Sequence, residues 1–531
     1  MPFVVVDQNQ ILEKKKPLSK SLLWRLQRRF FNNAGIEAWR EGIVPHYITS
    51  NPFIANAYAK VVLGFLKDFQ SFDPNQPIYI LELGAGSGRF AYMFIKRFFE
   101  HILPVSKLDL KVKYVLTDFV ERNIEFWQSH PSLLPYVEKG FLDFARFDLE
   151  KDSKLKLINS NLEISSGSLK NPLIVLANYV FDGVPQDIFE IRNKQLFECL
   201  ATLISTQKEL DKLDPEILNH SHISYDMLPC STKYYQDPIA NNVLEQYCKT
   251  LPDTKLVFPI SAIKCFNNLQ ALSNNLMILT GDKGHTEQTD LINQNMPTLA
   301  THGSFSMTVN YHALKLYVEQ KDWQVFHINR THNSLNIVAF CHKKEPNCLL
   351  ELSKTYQDTI EYFGPDDFFA LKKAFERNHQ NCTIEELVTF LRTSLWDANI
   401  IIIFYPSLLS LLKTESISEW LKLEFKQGFR QSWDLYYQMG EKKNFAYYLG
   451  SLSTLLDQYD KAEFYFEQAL EYGADPKLTH NLAVCYYHLN KLESKLKEVE
   501  DKLEKEPNNE IAKLLQSELQ QAIEFREEHK A

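Results

Sequence analysis

The fold predicted for this chain depends on residues 77–90, Pro-Ile-Tyr-Ile-Leu-Glu-Leu-Gly-Ala-Gly-Ser-Gly-Arg-Phe. The short apolar run at 78–83 is typical of a fully buried strand, and glycines follow it at every second position. Apolar residues then recur with helical spacing over residues 90–103. A strand, a glycine turn and a helix in this order let the backbone approach a nucleotide-like ligand closely, because a Cβ atom would collide with it.

The spacing of the glycines separates this turn from the dinucleotide-binding fingerprint. That fingerprint requires glycine at relative positions one, three and six, and the sixth position here is Arg89. Glu82 instead precedes the first glycine by two residues, which gives Glu-x-Gly-x-Gly-x-Gly. The pattern resembles motif I of the class I S-adenosylmethionine-dependent methyltransferases, in which the turn wraps the amino-acid end of the cofactor. A purely structural glycine turn in another α/β domain is the alternative.

The composition indicates a folded protein of more than one domain. The chain has 531 residues, of which 45% are apolar and 24% are charged, so two or three globular domains are expected. The net charge of −9 does not indicate a nucleic-acid partner, because phosphates bind to basic surfaces. No segment reaches the roughly 18 consecutive apolar residues that a membrane span requires.

The eight cysteines are scattered and include no Cys-x-x-Cys pair. We therefore expect no metal site and no dense disulfide framework, and a reducing, cytoplasmic location fits this pattern. The N-terminus lacks the apolar stretch of a secretory signal. Residues 19–33 are basic and amphipathic, and a helix packed on the domain is favoured over a targeting or membrane-surface helix.

Repeated strand–helix alternation after the glycine turn predicts a mostly parallel sheet covered on both faces. Asp118 follows the second predicted strand, at 113–116, where a carboxylate can accept hydrogen bonds from both ribose hydroxyls. It is also a candidate N-cap for the next helix. The third strand lies at 140–144 or at 145–149. Asp148 would suit a contact to the adenine amino group, although a solvated loop aspartate is an equal alternative.

The fourth predicted strand, at 173–177, leads into Asn178-Tyr179-Val180-Phe181-Asp182. Ligands of doubly wound folds bind beyond the carboxyl ends of strands, so this segment is expected next to the transferred methyl group. Asn followed three residues later by an aromatic residue is similar to the Asn-x-x-Phe spacing of several amine methyltransferases. The preference of Asn and Gly for turns is the alternative explanation.

Upstream of the glycine turn, residues 47–50 precede a predicted helix at 53–69, for which Ser50 or Asn51 is the candidate cap. Tyr47, Thr49 and Ser50 are predicted to cover the cofactor pocket. Further strands are predicted at 275–280, 323–329 and 335–341, and a helix at 311–320. From about residue 345 helical periodicity dominates, and Leu449, Gly450, Ala462, Phe466, Ala469 and Pro476 fit a tetratricopeptide repeat. An unrelated helical bundle is the alternative for this region.

Together these segments resemble the MidA-like methyltransferases, which include the mitochondrial complex I assembly methyltransferase. The resemblance covers roughly residues 40–342 and depends on residues 47–50, 81–88, 178 and 181–185, on Asp282-Lys283-Gly284, and on His302-Gly303 ahead of Thr308. It implies a class I, Rossmann-like α/β fold with a mostly parallel sheet, and S-adenosylmethionine as the cofactor. The candidate cofactor-binding residues are Tyr47, Thr49, Ser50, Glu82, Gly84, Ala85, Gly86, Gly88, Asp118, Asp148 and Asn178.

The candidate catalytic residues are Asn178, Asp182 and His302, and either Asp182 or His302 would remove a proton from the acceptor nitrogen. The mitochondrial family member is associated with arginine methylation in a protein. This chain departs from the family at Tyr179, where Glu is usual, and at Lys283, where Tyr is usual. A carboxylate at the first position could hold a guanidinium bidentately, whereas tyrosine cannot, so arginine is in doubt as the substrate.

The predicted domains are an N-terminal helical extension at 1–36, a methyltransferase domain at 37–343 with an insertion at about 190–270, a helical region at 344–440, and tetratricopeptide-like repeats at 441–531. The leading functional hypothesis is a protein methyltransferase whose all-α repeat tail recruits the protein substrate. A cofactor-binding but non-catalytic assembly factor is one alternative. A small-molecule methyltransferase, with the insertion as its lid, is the other.

Overall fold

The buried run Ile78–Leu83 forms the first strand, β1, of the central sheet in this computed structural model. The structure describes residues 10–206, 211, 214–297, 300–302, 304–330, 334–344, 349–473 and 475–529, without the side chains of 300–302. The chain divides into two units, residues 1–369 and 370–531. All six residues of β1 are buried, as expected for an inner strand of a sheet that is covered on both faces.

Within the described residues the central sheet has seven strands, in the order β6-β7-β5-β4-β1-β2-β3. Strands β2 to β7 are Val112–Asp118, Leu142–Arg146, Leu173–Asn178, Leu276–Asp282, Gln324–Phe326 and Asn336–His342. Strand β7 is antiparallel to both of its neighbours, and the other pairs are parallel. Strands β2 and β4 lie on opposite sides of β1, so the carboxyl ends of β1 and β4 flank the topological switch point where such folds bind ligands.

The helices of the first unit connect these strands. They are α1 Leu22–Ala34, α2 Pro52–Lys67, α3 Arg89–Arg97, α4 Glu121–Ser129, α5 Pro238–Thr250, α6 Ile260–Leu272, α7 Tyr311–Glu319 and α8 Leu350–Tyr356, with short helices at Glu37–Arg40 and Leu134–Glu138. Asn51 caps α2, because its side chain accepts a 3.1 Å hydrogen bond from the Ile54 amide. The helix predicted at 90–103 is regular only to Arg97 and continues as a π-helical turn, Phe98–Ile102.

A second, antiparallel sheet is inserted between β4 and β5. Its strands are Asp187–Arg192, Gln195–Ser205, Ser221–Pro229 and Thr254–Phe258, and the N-terminal strand Gln10–Lys16 pairs with Gln195–Ser205. The N-terminal strand was not predicted from the sequence. The apolar face of α1, including Leu22 and Leu26, packs against Ile188 and Leu203 of this sheet. The sheet therefore fixes α1 beside the carboxyl end of β4.

The second unit is helical throughout its described residues. Its helices are Ile384–Thr393, Ala398–Thr414, Glu419–Leu435, Phe445–Leu455, Tyr459–Ala469, Pro476–His488, Leu492–Lys505 and Glu510–Glu528, and Pro365–Asn378 crosses the boundary between the units. Phe445–Leu455 and Tyr459–Ala469 form a tight hairpin, since a Cβ on Gly450 would lie 2.6 Å from the Phe466 ring. The assignment of tetratricopeptide repeats to these helices stays a prediction.

Candidate cofactor and methyl-transfer site

A cavity of about 650 Å³ lies at the carboxyl ends of β1, β2 and β4. Its volume is within the range of roughly 300–1,000 Å³ that is usual for small-molecule sites. The residues that line it include Trp24, Gln27, Arg28, Phe31, Trp39, His46, Tyr47, Gly84, Asp118, Phe119, Phe147, Asp148, Tyr179, Val180, Asp182, Lys283, Phe305 and Ser306. The cavity therefore lies at the edge of the sheet where the sequence predicts the cofactor.

The glycine turn after β1 has a backbone that residues with side chains rarely adopt. Gly84, Gly86 and Gly88 have φ values of +58°, +53° and +77°. A Cβ on Gly86 would lie 2.6 Å from the indole of Trp39. The Ala85 amide donates to the Thr117 carbonyl at 2.9 Å, which fixes the turn to β2. Gly84 lines the cavity.

Asp118, at the end of β2, is buried and lines the cavity. Its carboxylate accepts hydrogen bonds from the Gly86 amide at 3.2 Å, the Val120 amide at 3.0 Å and the Asn123 amide group at 3.1 Å. It therefore connects the glycine turn to the segment that precedes α4. The N-cap of α4 is Val120 and not Asp118, and the ribose contact stays a prediction. Burial raises the pKa of Asp118, and these hydrogen bonds oppose that shift.

Asp148 follows β3, which occupies Leu142–Arg146 and so overlaps both positions considered for the third strand. The Asp148 side chain is only 3% exposed, and it forms a bidentate ion pair with Arg28 of α1, with N–O distances of 2.6 and 3.2 Å. It is therefore not a solvated loop residue. The Arg28 guanidinium also lies 4.3 Å above the centre of the Phe119 ring.

The segment at 47–50 is a single 3-10 turn, Tyr47–Thr49, followed by Ser50. Tyr47 lines the cavity, whereas Thr49 is buried and its hydroxyl donates to the His46 carbonyl at 3.2 Å. The buried Ser50 hydroxyl has no hydrogen-bond partner among the described residues. The Oε1 atom of cavity-lining Gln27 is likewise buried without a partner in the described part of the chain. Buried polar atoms of this kind require a ligand or water.

Glu82 is buried within β1, beneath the glycine turn. Tyr114 donates a 2.8 Å hydrogen bond to its carboxyl group, and its carbonyl accepts from Thr117 at 2.7 Å. Burial raises the pKa of Glu82 to about 8, and the Tyr114 hydrogen bond only partly offsets this. The side chain does not line the cavity.

Asn178 ends β4, and its Oδ1 accepts a 2.7 Å hydrogen bond from the hydroxyl of Tyr58 on α2. The next residue, Tyr179, has φ +54°, which is strained for a residue with a side chain. The Tyr179 ring lines the cavity, and its hydroxyl donates to the Ser334 carbonyl at 3.2 Å. Such strain beyond the end of a strand is common where the backbone is shaped for a ligand.

Asp182 lines the cavity and is in hydrogen-bond contact with the buried carboxyl group of Asp282, which ends β5. Two carboxyl groups can form such a bond only when one of them is protonated. Burial raises the pKa of both groups, and proximity to Asp182 raises that of Asp282 further. Ser306 and Lys283 favour the charged form of Asp182, and Tyr311 and the Phe181 amide favour that of Asp282, so each of these contacts opposes the rise in pKa that burial causes.

His302 lies in the strand Ala300–His302, but its side chain is outside the described part of the chain. Among the described residues, no group of three or more His, Cys, Asp or Glu side chains is arranged to hold a metal ion. No helix in the described ranges is long and apolar enough to cross a membrane.

These features fit S-adenosylmethionine. The strand order, the three left-handed glycines after β1, the buried acid after β2 and the cavity beside them define a class I S-adenosylmethionine-dependent methyltransferase. A family model described as "Putative S-adenosyl-L-methionine-dependent methyltransferase" matches residues 61–315. Residues 61–315 are thus similar to this family, which confirms the resemblance seen in the sequence.

Three solved structures are similar to parts of the chain. An uncharacterized superfamily protein from Burkholderia thailandensis is 10% identical over 64% of this chain and 90% of its own, with a TM-score of 0.39. A second member of that superfamily from the same organism, bound to S-adenosyl-homocysteine, is 12% identical over 58% and 78%, with a TM-score of 0.34. A TPR protein from Thermus thermophilus is 18% identical over 32% and 88%, with a TM-score of 0.19. No curated protein matches the sequence.

Several cavity residues were not assigned a site role from the sequence, among them Arg28, Trp39 and Phe119. Neither was Asp282, which contacts the cavity-lining Asp182. Arg28 and Trp39 line the cavity but are distant in sequence from the strands beside which they lie. No local sequence pattern therefore identifies them. Asp282 was predictable in principle, because β4 and β5 are adjacent and parallel and their carboxyl ends meet at one edge.

Proposed function

We propose that this methyltransferase acts on a side-chain nitrogen of a protein. The main support is the position of the turn after β4 beside the glycine turn: a Cβ on Gly84 would lie 3.2 Å from the Val180 side chain. The segment from Asn178 to Asp182 is thus in contact with the turn expected to hold the methionine part of the cofactor. A nitrogen acceptor held by this segment would be close to the transferred methyl group.

We assign the ends of the cofactor by the chemistry of the side chains. The glycine turn Gly84–Gly88, including Ala85, would hold the amino-acid end, with Glu82 beneath it. Asp118 would accept from the ribose hydroxyls, and Asp148 would accept from the adenine amino group. Tyr47, Thr49 and Ser50 would cover the pocket, and the position of Tyr47 in the lining of the cavity supports this part of the assignment.

The bound cofactor supplies a methyl group that its sulfonium makes electrophilic. The residues of this chain then have to align the acceptor nitrogen and exclude water. The Tyr58 hydroxyl already donates to Oδ1 of Asn178, which fixes the amide and leaves one lone pair for an N–H of the acceptor. The carboxylate of Asp182 would take the proton that the nitrogen loses, and Asp282 would position it. His302 remains a second candidate for this role.

The raised pKa of Asp182 suits a proton acceptor that works near neutral pH. Because the group must be ionised to accept a proton, activity is expected to increase as the pH rises through this raised pKa. Tyr179 donates its hydroxyl to the Ser334 carbonyl and offers no carboxylate to a guanidinium. We therefore expect the acceptor to be an amine nitrogen rather than arginine.

The second unit would recruit the protein substrate. Helix Glu419–Leu435 leaves Trp420 and Leu423 60% and 55% exposed, and they are three residues apart and so lie on one helix face. Exposed large apolar and aromatic side chains of this kind are typical anchors of protein interfaces. We also propose that tetratricopeptide-like repeats in this unit bind the substrate and that the protein is cytoplasmic.

The experiment that tests this proposal uses S-adenosylmethionine with a labelled methyl group and protein extract from cells that lack the gene. We expect label in a protein band and, after hydrolysis, in one methylated amino acid. Asp182→Asn should abolish labelling with unchanged cofactor affinity. Asp282→Asn should retain much more activity, because asparagine has the shape and neutrality of the protonated acid.

Three results would overturn the proposal in different ways. Label confined to small metabolites would favour the small-molecule methyltransferase. Cofactor binding without any labelled product would favour the non-catalytic assembly factor. If the double variant Trp420→Ala/Leu423→Ala labels the protein substrate fully when that substrate is limiting, this helix face has no role in recruiting it.

A further inference from the structure

Helix α1 contacts both ends of the proposed cofactor site. Nε2 of Gln27 donates to the Gly183 carbonyl at 3.3 Å, in the turn after β4. The next residue, Arg28, reaches Asp148 after β3, on the far side of Asp118. One turn of one helix therefore contacts the residues proposed for methyl transfer and the residue proposed for adenine recognition.

Arg28 occupies the Asp148 carboxylate to which the adenine amino group would otherwise donate. The planar guanidinium uses both terminal nitrogens on the Asp148 carboxylate and covers the ring of Phe119 at 4.3 Å. Nη1 also donates to Glu150 at 2.9 Å. Lys151 lies 3.4 Å from Asp148, but its side chain is 70% exposed and it has no planar group to stack.

Adenine is also a flat group that carries a hydrogen-bond donor. Proteins usually hold it by stacking it on an aromatic ring while an acceptor binds its amino group. At a separation of 4.3 Å, no ring fits between the guanidinium and Phe119. We propose that Arg28 is a specificity-determining gate of the adenine subsite, whose guanidinium occupies the face of Phe119 and the acceptor atoms of Asp148 until the cofactor displaces it. This inference rests on the proposed cofactor placement.

The gate can open without unfolding α1. The helix is held by its apolar face and by its N-terminus, where Glu13 accepts hydrogen bonds from the Ser21 hydroxyl and the Leu22 amide, both at 2.8 Å. The Arg28 side chain is 24% exposed, so rotation about its side-chain bonds carries the guanidinium into solvent. Hydration replaces the ion pair on the guanidinium side alone, because Asp148 is buried, so the adenine amino group has to take over the contact with the carboxylate.

The gate is tested by calorimetric titration of the full chain with S-adenosylmethionine, adenosine and methionine. We expect Arg28→Ala to bind adenosine and S-adenosylmethionine about fivefold more tightly, as removal of a competing contact of about 1 kcal/mol requires. Methionine affinity should not change. Arg28→Lys keeps the charge but loses the planar fork, and it should also bind adenosine more tightly.

The matched controls are Arg25→Ala and Arg29→Ala, which remove the same charge from exposed positions of the same helix. They should leave adenosine affinity unchanged. Unchanged or weaker adenosine binding by both Arg28 variants would overturn the proposal, and weaker binding would mean that Arg28 contacts the cofactor directly.

A double-mutant cycle separates this inference from the cofactor placement. Asp148→Ala should weaken adenosine binding more in the Arg28→Ala background than in the wild type, because only there does no guanidinium compete for the carboxylate. If Asp148→Ala has no effect in either background, the adenine placement is wrong. If it weakens binding equally in both, the placement stands and the gate is wrong.

Discussion

The hydroxyl of Tyr58 donates a 2.7 Å hydrogen bond to Oδ1 of Asn178, from the middle of α2 to the end of β4. Both groups are enclosed, since a Cβ on neighbouring Gly281 would lie 2.8 Å from that hydroxyl and 3.0 Å from that Oδ1. The amide therefore has one orientation, with its remaining donors and lone pair fixed. A pre-oriented amide at this position loses little entropy when a substrate binds.

Tyr58→Phe should lower methyl-transfer kcat on the acceptor identified by labelling, while the Kd for S-adenosylmethionine stays unchanged. It leaves Oδ1 of Asn178 buried without its donor, so the free energy of unfolding should fall by about 1–3 kcal/mol. Kinetics and denaturant titration measure the two effects. Tyr356→Phe is the control, because it removes a buried hydroxyl that donates to the Ile337 carbonyl at 2.6 Å away from the cavity. Equal kcat losses in both variants would contradict a positioning role.

Asp118→Asn should weaken S-adenosylmethionine binding at least tenfold, equivalent to about 1.4 kcal/mol. The amide nitrogen cannot accept from ribose hydroxyls, and it would face the Gly86 amide as a second donor. Calorimetry measures the affinity. Asp143→Asn is matched, since Asp143 is buried and accepts from the Asn159 amide at 2.9 Å but does not line the cavity. Similar affinities for both variants would remove Asp118 from the cofactor site.

Gly86→Ala should destabilise the glycine turn and displace Trp39. The substitution costs about 1 kcal/mol or more for a left-handed backbone, and its Cβ would meet the indole at 2.6 Å. Gly140→Ala is the control. Gly140 also has a left-handed backbone, with φ +75°, but no atom lies within 4 Å of the position of a new Cβ, so this variant measures the backbone cost alone. Thermal unfolding and tryptophan fluorescence compare the two. If both variants unfold alike and bind the cofactor alike, the contact with Trp39 has no role.

Glu82→Gln should change how stability depends on pH. The pKa of Glu82 is raised to about 8 in the folded state, so between its ordinary value and about 8 the folded protein binds more protons than the unfolded chain. The wild type should therefore lose up to about 1.4 kcal/mol per pH unit relative to Glu82→Gln as the pH rises across this interval. Denaturant titrations from pH 5 to about 8 measure the difference. A constant difference would mean that Glu82 is ionised throughout.

The sequence predicted the inner strands best. Residues 78–81 and 173–177 are continuous apolar runs, because parallel strands inside a sheet are buried on both faces. Strand β3 was located only approximately. It contains the buried Asp143, whose charge is satisfied by the Asn159 and Ser160 amides, and a polar residue inside a strand hides the apolar pattern.

Features made by distant segments could not be predicted. The strand Gln10–Lys16 contains three consecutive lysines, and its pairing partner lies in the inserted sheet. The ion pair between Arg28 and Asp148 joins two segments that have no common periodicity. Most of the candidate site residues were predicted because they belong to turns with recognisable glycine or acidic patterns. Their contact partners are identified by the structure alone.

The position of β7 between β5 and β6 constrains how the chain is completed during synthesis. Until residues 336–342 have left the ribosome, β5 has an unpaired edge and β6 has no partner in the sheet. Exposed strand edges promote association between chains, so nascent molecules that stop before this point carry a specific hazard. Translation pauses or truncations just upstream of residue 336 should therefore yield aggregation-prone intermediates, whereas those after residue 342 should not.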